Sequence, residues 1–417
     1  MAATDDAFPW RSVALTAFLP ALLFAIGEGA IIPIIPLVAG NLGASLAIAG
    51  FIAAALMIGE LVGDIPSGWL VSRIGERPAM IGAAFASIVG LVICILAPNP
   101  WALGFGVLVI GMATAVFALA RHAFMTSFVP LRYRARALST LGGVFRAGFF
   151  VGPFLTAGAI AVTGDAASAF WIHIVACLAS AAVLLVLSDP IPARPPVLAP
   201  DGRPLREGEA LVEAEARGLW PTIAAKRGVL LRMGAGAAII SALRASRAVV
   251  LPLWGISIGI DAASIALIIG IAGGIDFALF YTSGQIMDRW GRMWSAMPSV
   301  VGMSLGHLVL AFTHDVPANV QWFIAMAFFL SVANGIGSGI VMTLGADLAD
   351  NHDPAPFLGA WRFTSSLGAA ASPLAVSVIT ALTSLSIAVA GIGVVGLAGA
   401  AVLARYVPRF APHRGPG

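Results

Sequence analysis

Runs of about 20 apolar residues, the length an α-helix needs to cross a hydrocarbon core, recur along the whole chain and not at one end alone. Read between polar breaks, they predict spans at 12–39, 46–71, 78–97, 101–128, 137–162 and 168–188. Six more follow at 229–257, 262–287, 293–313, 319–346, 357–381 and 384–405. Runs of this length read as membrane-spanning helices, so the fold class is all-α and integral to the membrane. Composition agrees: 59% of the 417 residues are apolar and 10% are charged, against about 25% charged in soluble domains.

The first run is too long for a signal-peptide core, and the segment before it carries Asp5 and Asp6 with no basic residue, so no cleaved leader is expected. Cys94 and Cys177 sit inside apolar runs and read as packing residues. CxxC, HExxH, GxSxG and P-loop patterns are absent from the sequence. No catalytic residues, metal site or cofactor are therefore expected, and the chain does not read as an enzyme. A net charge of +3 invites a nucleic-acid reading, but the basic residues hug helix ends. They read as orientation signals, and no nucleic-acid partner is expected.

With the N-terminus inside, one side of the membrane holds Arg11, Arg73, Arg77, Arg132, Arg134, Arg136, Arg289, Arg292, Arg405, Arg409 and Arg414. The other side holds Asp165, Asp261, His314 and Asp315 and no Lys or Arg. Twelve spans with both termini cytoplasmic satisfy the positive-inside rule, and an odd count breaks it. The stretch 189–228, with five of the 26 prolines between Pro190 and Pro200 and a charged segment from Arg206 to Arg217, reads as a cytoplasmic linker with a short surface helix. It divides the chain into halves at 1–188 and 229–417. The halves repeat at an offset of 216 residues: Gly68, Arg73 and Gly75 match Gly284, Arg289 and Gly291, Glu60 matches Asp276, Pro36 matches Pro252, and Glu28 falls on Arg244. Parallel halves of this kind place a binding site near the midplane, between them.

The segment "GQIMDRWGRM" contains Gly284, Asp288, Arg289, Gly291 and Arg292 in the pattern G-x-x-x-D-R-x-G-R. In its first copy, "GWLVSRIGER", Ser72 and Glu76 stand where an acid and a base are expected, beside Gly68, Arg73, Gly75 and Arg77. On these loops the chain resembles the major facilitator superfamily over essentially its whole length. The resemblance implies two six-helix bundles and gating loops at these positions, with Asp64 supplying a nearby carboxylate. Gly148, Gly152 and Pro153 resemble the G-x-x-x-G-P core found in proton-coupled exporters of the superfamily, although Thr156 and Ala157 replace its paired glycines. Gly368 and Pro373 repeat the pattern in the eleventh span. Small residues every four positions also let helices pack closely in lipid, which needs no export function. The fourth span lacks the arginine many proton-driven members carry at its start; Arg121, near its other end, is expected to reach the interface.

A charge at the bilayer centre costs about 2.5 to 3.5 kcal/mol on insertion scales, so each one retained there is a functional candidate. Glu28 lies about 24 Å into its helix, between Gly27 and Gly29, which leave room for substrate or a neighbouring helix. Because the resemblance sets the first and seventh helices across a central cavity, Glu28 is expected to face Arg244, with Arg247 one turn on. Withdrawal from water favours a carboxylate's protonated form and a nearby guanidinium favours the ionised one, so alternation between the two loads and releases a proton. Glu28 is the expected proton-coupling group; the competing reading is a fixed ion pair. Glu60 and Asp276 are expected to pair with Arg146 and Arg362 within each half, and Trp254 to line the cavity.

The leading reading is a proton-coupled exporter of small amphipathic or hydrophobic compounds, working by alternating access as a monomer among membrane lipids. The second is an importer that moves a proton with a polar or anionic metabolite bound by Arg244 and Arg247. The third, a sensor or lipid-handling scaffold, is disfavoured by short tails.

Overall fold

The computed structural model describes residues 13–189, 195–199, 201–350 and 353–410. Arg11, the acidic first segment, residues 190–194, Pro200 and Arg414 lie outside the described residues. Among the described residues, twelve helices are long and apolar enough to span a membrane. They are α1 (Ala14–Ile31), α2 (Leu46–Ile74), α3 (Glu76–Ile95), α4 (Pro100–Phe128), α5 (Leu131–Thr163), α6 (Ser168–Val186), α7 (Arg227–Ser257), α8 (Ala262–Trp290), α9 (Met293–Ala311), α10 (Asn319–Leu348), α11 (Ala355–Leu382) and α12 (Leu385–Phe410). The protein is a multi-pass membrane protein.

The expected first span, 12–39, is broken. α1 stops at Ile31 and a short helix resumes at Ile35–Asn41, because Pro33 and Pro36 lack the N–H groups that would continue the ladder. α10 carries a similar break at Gly339, whose φ of +81° suits glycine. The linker holds a small antiparallel hairpin, Val197–Leu198 with Pro204–Leu205, and a linker helix at Glu207–Ala225.

The sequence repeat is reproduced in backbone detail. α2 is capped by the Ser45 side chain, which accepts from the Ile48 N–H, and α8 by Asp261, which accepts from the Ser264 N–H, 216 residues later. Both helices end at a glycine in the same unusual conformation, Gly75 at φ 90°, ψ 162° and Gly291 at φ 93°, ψ 167°. L side chains rarely adopt that conformation, which explains the glycines of the signature loops. Helix pairing repeats as well. α1 packs on α5, α2 on α4, and α3 on α4 and α6; correspondingly α7 packs on α11, α8 on α10, and α9 on α10 and α12. The halves meet along two related seams, α5 with α8 and α2 with α11.

Between α1 and α7 a shared apolar core, with Ile31, Ile34 and Val38 on one side and Val249, Leu253 and Trp254 on the other, fills the end away from the linker. At the linker face, the linker helix lies across α2, α4 and α11 and so touches both halves. The expected surface helix is therefore a brace. Its N-terminal end is seated so tightly that a Cβ on Gly208 would strike the Ala123 carbonyl. Arg206 reaches the fully buried Glu76 carboxylate at 2.9 Å. Further along, Glu215 takes Arg362 of α11 at 2.8 Å, and Trp220 meets the Phe363 ring edge-on at 5.7 Å.

Candidate functional site

Glu28 sits near the centre of the α1 region and is 2% exposed; its Oε2 has no hydrogen-bond partner. The cation in its electrostatic surroundings is Arg121 of α4, 5% exposed and also without a partner at Nε, and the two are not in ion-pair contact. Phe24 and Phe117 stack at 4.1 Å between centroids; because α1 and α4 run in opposite directions, this stack lies between Glu28 and Arg121, one turn from each, and fixes the two helices against each other. The Arg121 guanidinium lies over the Phe145 ring at 5.0 Å. The expectation that Arg121 reaches the interface is corrected: α4 continues to Phe128, about 10 Å past it, too far for the side chain to return to the surface. That depth, readable from the apolar residues after Arg121, was the signal for this partner.

The expected meeting of Glu28 and Arg244 is also corrected. The flanking glycines are taken up inside the first half: a Cβ on Gly27 would strike His173 of α6, and one on Gly29 would come 2.9 Å from the Phe149 backbone of α5. The helix that approaches Glu28 closely belongs to its own bundle. Glu60 of α2 lies in the electrostatic surroundings of both Glu28 and Asp64, the latter one turn further along its own helix. Asp64 accepts from the Ser366 hydroxyl of α11 at 2.8 Å, a bond across the seam.

Arg244 belongs to a second group. Its neighbours are Arg146 of α5, Arg247 and Asp276. Arg247 donates to Asp276 Oδ2 at 2.6 Å and to Ser331 at 2.8 Å, while Asn334 donates to Asp276 Oδ1 at 3.0 Å. Arg146 stands over the Phe280 ring at 5.2 Å. Arg244 donates to the Gly337 carbonyl at 2.6 Å and leaves Nε unpartnered. The expected pairs do not form. Because its face of α5 looks out of its own bundle, Arg146 lies in the electrostatic surroundings of Asp276 across the α5–α8 seam and not of Glu60, without an ion pair to Asp276. Arg362 meets Glu215 and Asp64 and not Asp276, because it sits where the linker helix crosses α11. Trp254 is away from both groups, fully buried with its ring edge against His314 at 5.2 Å.

The signature loops tie neighbouring helix ends. Arg77 donates to the Leu184 carbonyl and pairs with Asp189 at 2.9 Å, holding α3 to the end of α6. Arg292 pairs with Asp347 of α10 at 2.9 Å and more loosely with the exposed Asp288 at 3.6 Å. Arg73 and Arg289 lie over the neighbouring Trp69 and Trp290 rings. Gly68 meets the linker helix at Val212, whereas Gly284 faces open space. Gly148 and Gly152 seat α5 on α1: a Cβ on either would fall 2.5 Å from α1 atoms, and Gly368 seats α11 on α7 in the same way. Pro153 and Pro373 lie inside α5 and α11 beside these contacts. Thr156, where the exporter pattern has glycine, donates to the Ala30 carbonyl at 2.7 Å and keeps the same helices together.

Twelve spans, pseudo-symmetric halves, embedded charges and glycine-turned loops define a membrane fold of two repeated six-helix bundles. The sequence pattern of the Major Facilitator Superfamily matches residues 17–373, and the chain belongs to that family. It is 28% identical over 189 residues to an MFS-type transporter of Mycobacterium tuberculosis, covering 45% of this chain and 27% of that one. It is 31% identical over 148 residues to the class G tetracycline resistance protein of Vibrio anguillarum, covering 35% of this chain and 37% of that one. The chain thus spans between about a quarter and two fifths of the length of these curated relatives. The solved structure of the xylose transporter XylE from E. coli shares the fold, with a TM-score of 0.73 at 16% identity over 97% of this chain and 99% of that one.

Proposed function

We propose that the chain couples proton movement to the export of small amphipathic compounds, with Glu28 carrying the proton and Arg121 as its alternating partner. The observation that carries this reading is the Glu28 carboxylate, buried at mid-span with one oxygen unpartnered and with Arg121 as a nearby cation it does not contact as an ion pair. A permanent structural pair would satisfy both groups, whereas a group that exchanges protons needs a partner it can leave. Export is supported by the seating of Gly148 and Gly152 directly on the Glu28 helix and by the stretch shared with a tetracycline resistance protein. The units that rock are 1–188 and 229–417, joined by 189–228, in a cell membrane with the linker face cytoplasmic.

The test is transport by the full chain in proteoliposomes under an imposed pH gradient, with a mixed panel of dyes and metabolites. Glu28→Gln is expected to keep substrate exchange between equal pools while losing pH-driven accumulation. Unchanged pH drive in that variant overturns the assignment, and pH-driven uptake towards the linker face overturns export.

A further inference from the structure

Around Asp276 the charges do not balance. Arg146, Arg244 and Arg247 surround one carboxylate, and that carboxylate is committed: Arg247 holds one oxygen and Asn334 the other. Arg247 is committed in turn, to Asp276 and Ser331. Among the described residues, Arg146 and Arg244 have no carboxylate within ion-pair distance. Arg146 has the Phe280 ring, and Arg244 has a backbone carbonyl and an unpartnered buried Nε. Two like charges held at mid-span without counter-charge are costly, and the ordinary resolution is an anion between them.

The two arginines come from different halves, Arg146 from α5 and Arg244 from α7, so a ligand bridging them lies at the interface that alternation remodels. Apolar flanks are at hand. Phe150, one turn from Arg146 on α5, stacks on Phe277 with ring centroids 6.4 Å apart, and Phe154 meets Phe150 edge-on at 5.3 Å. Phe277 is the residue after Asp276. A planar guanidinium pair beside aromatic faces suits a carboxylate or sulfonate carried on an aromatic body.

We infer that Arg146 and Arg244 form the anion-binding part of the substrate site, and that the transported compounds are organic anions with an aromatic or apolar body. This rests on the transporter reading above and gives its amphipathic substrate a charge. Arg247 and Asp276 are the scaffold that positions the pair.

The test is binding to the purified full chain in phosphatidylcholine nanodiscs, which carry no anionic headgroup. The probes are the matched pair 2-naphthoate and 2-naphthylmethylammonium, with naphthalene-2-sulfonate as a second anion, followed by quenching of protein tryptophan fluorescence. The anions are expected to bind and the ammonium not. Arg146→Gln and Arg244→Gln are each expected to weaken anion binding by about ten-fold or more, the loss of one charge-assisted contact. Arg136→Gln, at the linker face, serves as the charge-matched control and should bind as the wild type does. Equal binding of the ammonium, no binding of either anion, or unchanged anion affinity in both variants overturns the inference. Glu28→Gln is expected to keep the preference for the anions over the ammonium while losing pH-driven accumulation, so failure of the anion site and failure of proton coupling at Glu28 are read separately.

Discussion

If the guanidiniums around Asp276 outnumber their counter-charges, removing the single carboxylate must harm the fold more than removing the arginine it binds. The atoms of the Arg247–Asp276 pair approach to 2.6 Å, with side chains 16% and 9% exposed. With charge centres about 4 Å apart and an effective dielectric near 20, their attraction is about 4 kcal/mol. Asp276→Asn removes that attraction and leaves three embedded cations facing one another, for a loss of about 3 to 5 kcal/mol, the range for breaking a buried pair. Arg247→Met leaves Asp276 with the Asn334 amide and two other guanidiniums in its surroundings, so the loss is about 1 to 2 kcal/mol. The double variant Arg247→Met/Asp276→Leu removes both charges and is expected to be more stable than Asp276→Asn alone. Heating the detergent-solubilised protein and measuring the monodisperse fraction ranks the three midpoints. A midpoint for Arg247→Met at or below that of Asp276→Asn would refute the charge count.

Two further outcomes concern the brace and the helix seam. Burial pushes the Glu215 carboxyl above its ordinary value of 4.5, against the opposing pull of Arg362 and with the help of Asp64. A raised acid stabilises the docked linker helix most fully below the free carboxyl's pKa, and the effect is lost as pH rises through the raised value. Hydrogen exchange over 207–225, corrected for its intrinsic pH dependence, should therefore speed up with rising pH in the wild type and not in Glu215→Gln; parallel slopes would refute this. Gly152→Val places a Cβ where the Ala30 N and Ile26 O leave 2.5 Å, whereas Gly158 has open space beyond it. Gly152→Val is expected to lose about 1 to 3 kcal/mol or more and most of its folded yield, and Gly158→Val to keep it; equal yields would contradict the seam.

Helix number and the repeat were legible because each depends on local signals. Span length reads directly off the apolar runs, and glycines at 75 and 291 announce turns that other residues rarely make. Partner choice was not legible. On a helix that is apolar all round, no polar face reports how the helix is rotated, so Arg146 gave no sign that it looks towards α8 and not α2. Gly27 and Gly29 announced a close approach but not its source. The linker helix was misjudged for a related reason. Glu209, Glu213 and Glu215 suggested a solvated face, yet all three are buried; Glu209 caps its own helix through the Arg206 backbone N–H, whereas Arg203 and Arg362 reach Glu213 and Glu215 from outside it.

The two charged groups are joined through α5. Its Gly148 and Gly152 rest on α1 on either side of the level of Glu28, and its Phe145 ring lies under Arg121. The next residue, Arg146, faces Asp276 and Arg244 in the other half. In the proposed cycle, a change in the protonation of Glu28 alters the surface on which α5 rests. Any tilt of α5 in response moves Arg146 relative to Arg244, because the glycine contacts leave no slack between α1 and α5. Under the proposed cycle, proton occupancy on one side of α5 and anion occupancy on the other act on the same rigid element, which is the physical requirement for coupling two sites that share no contact.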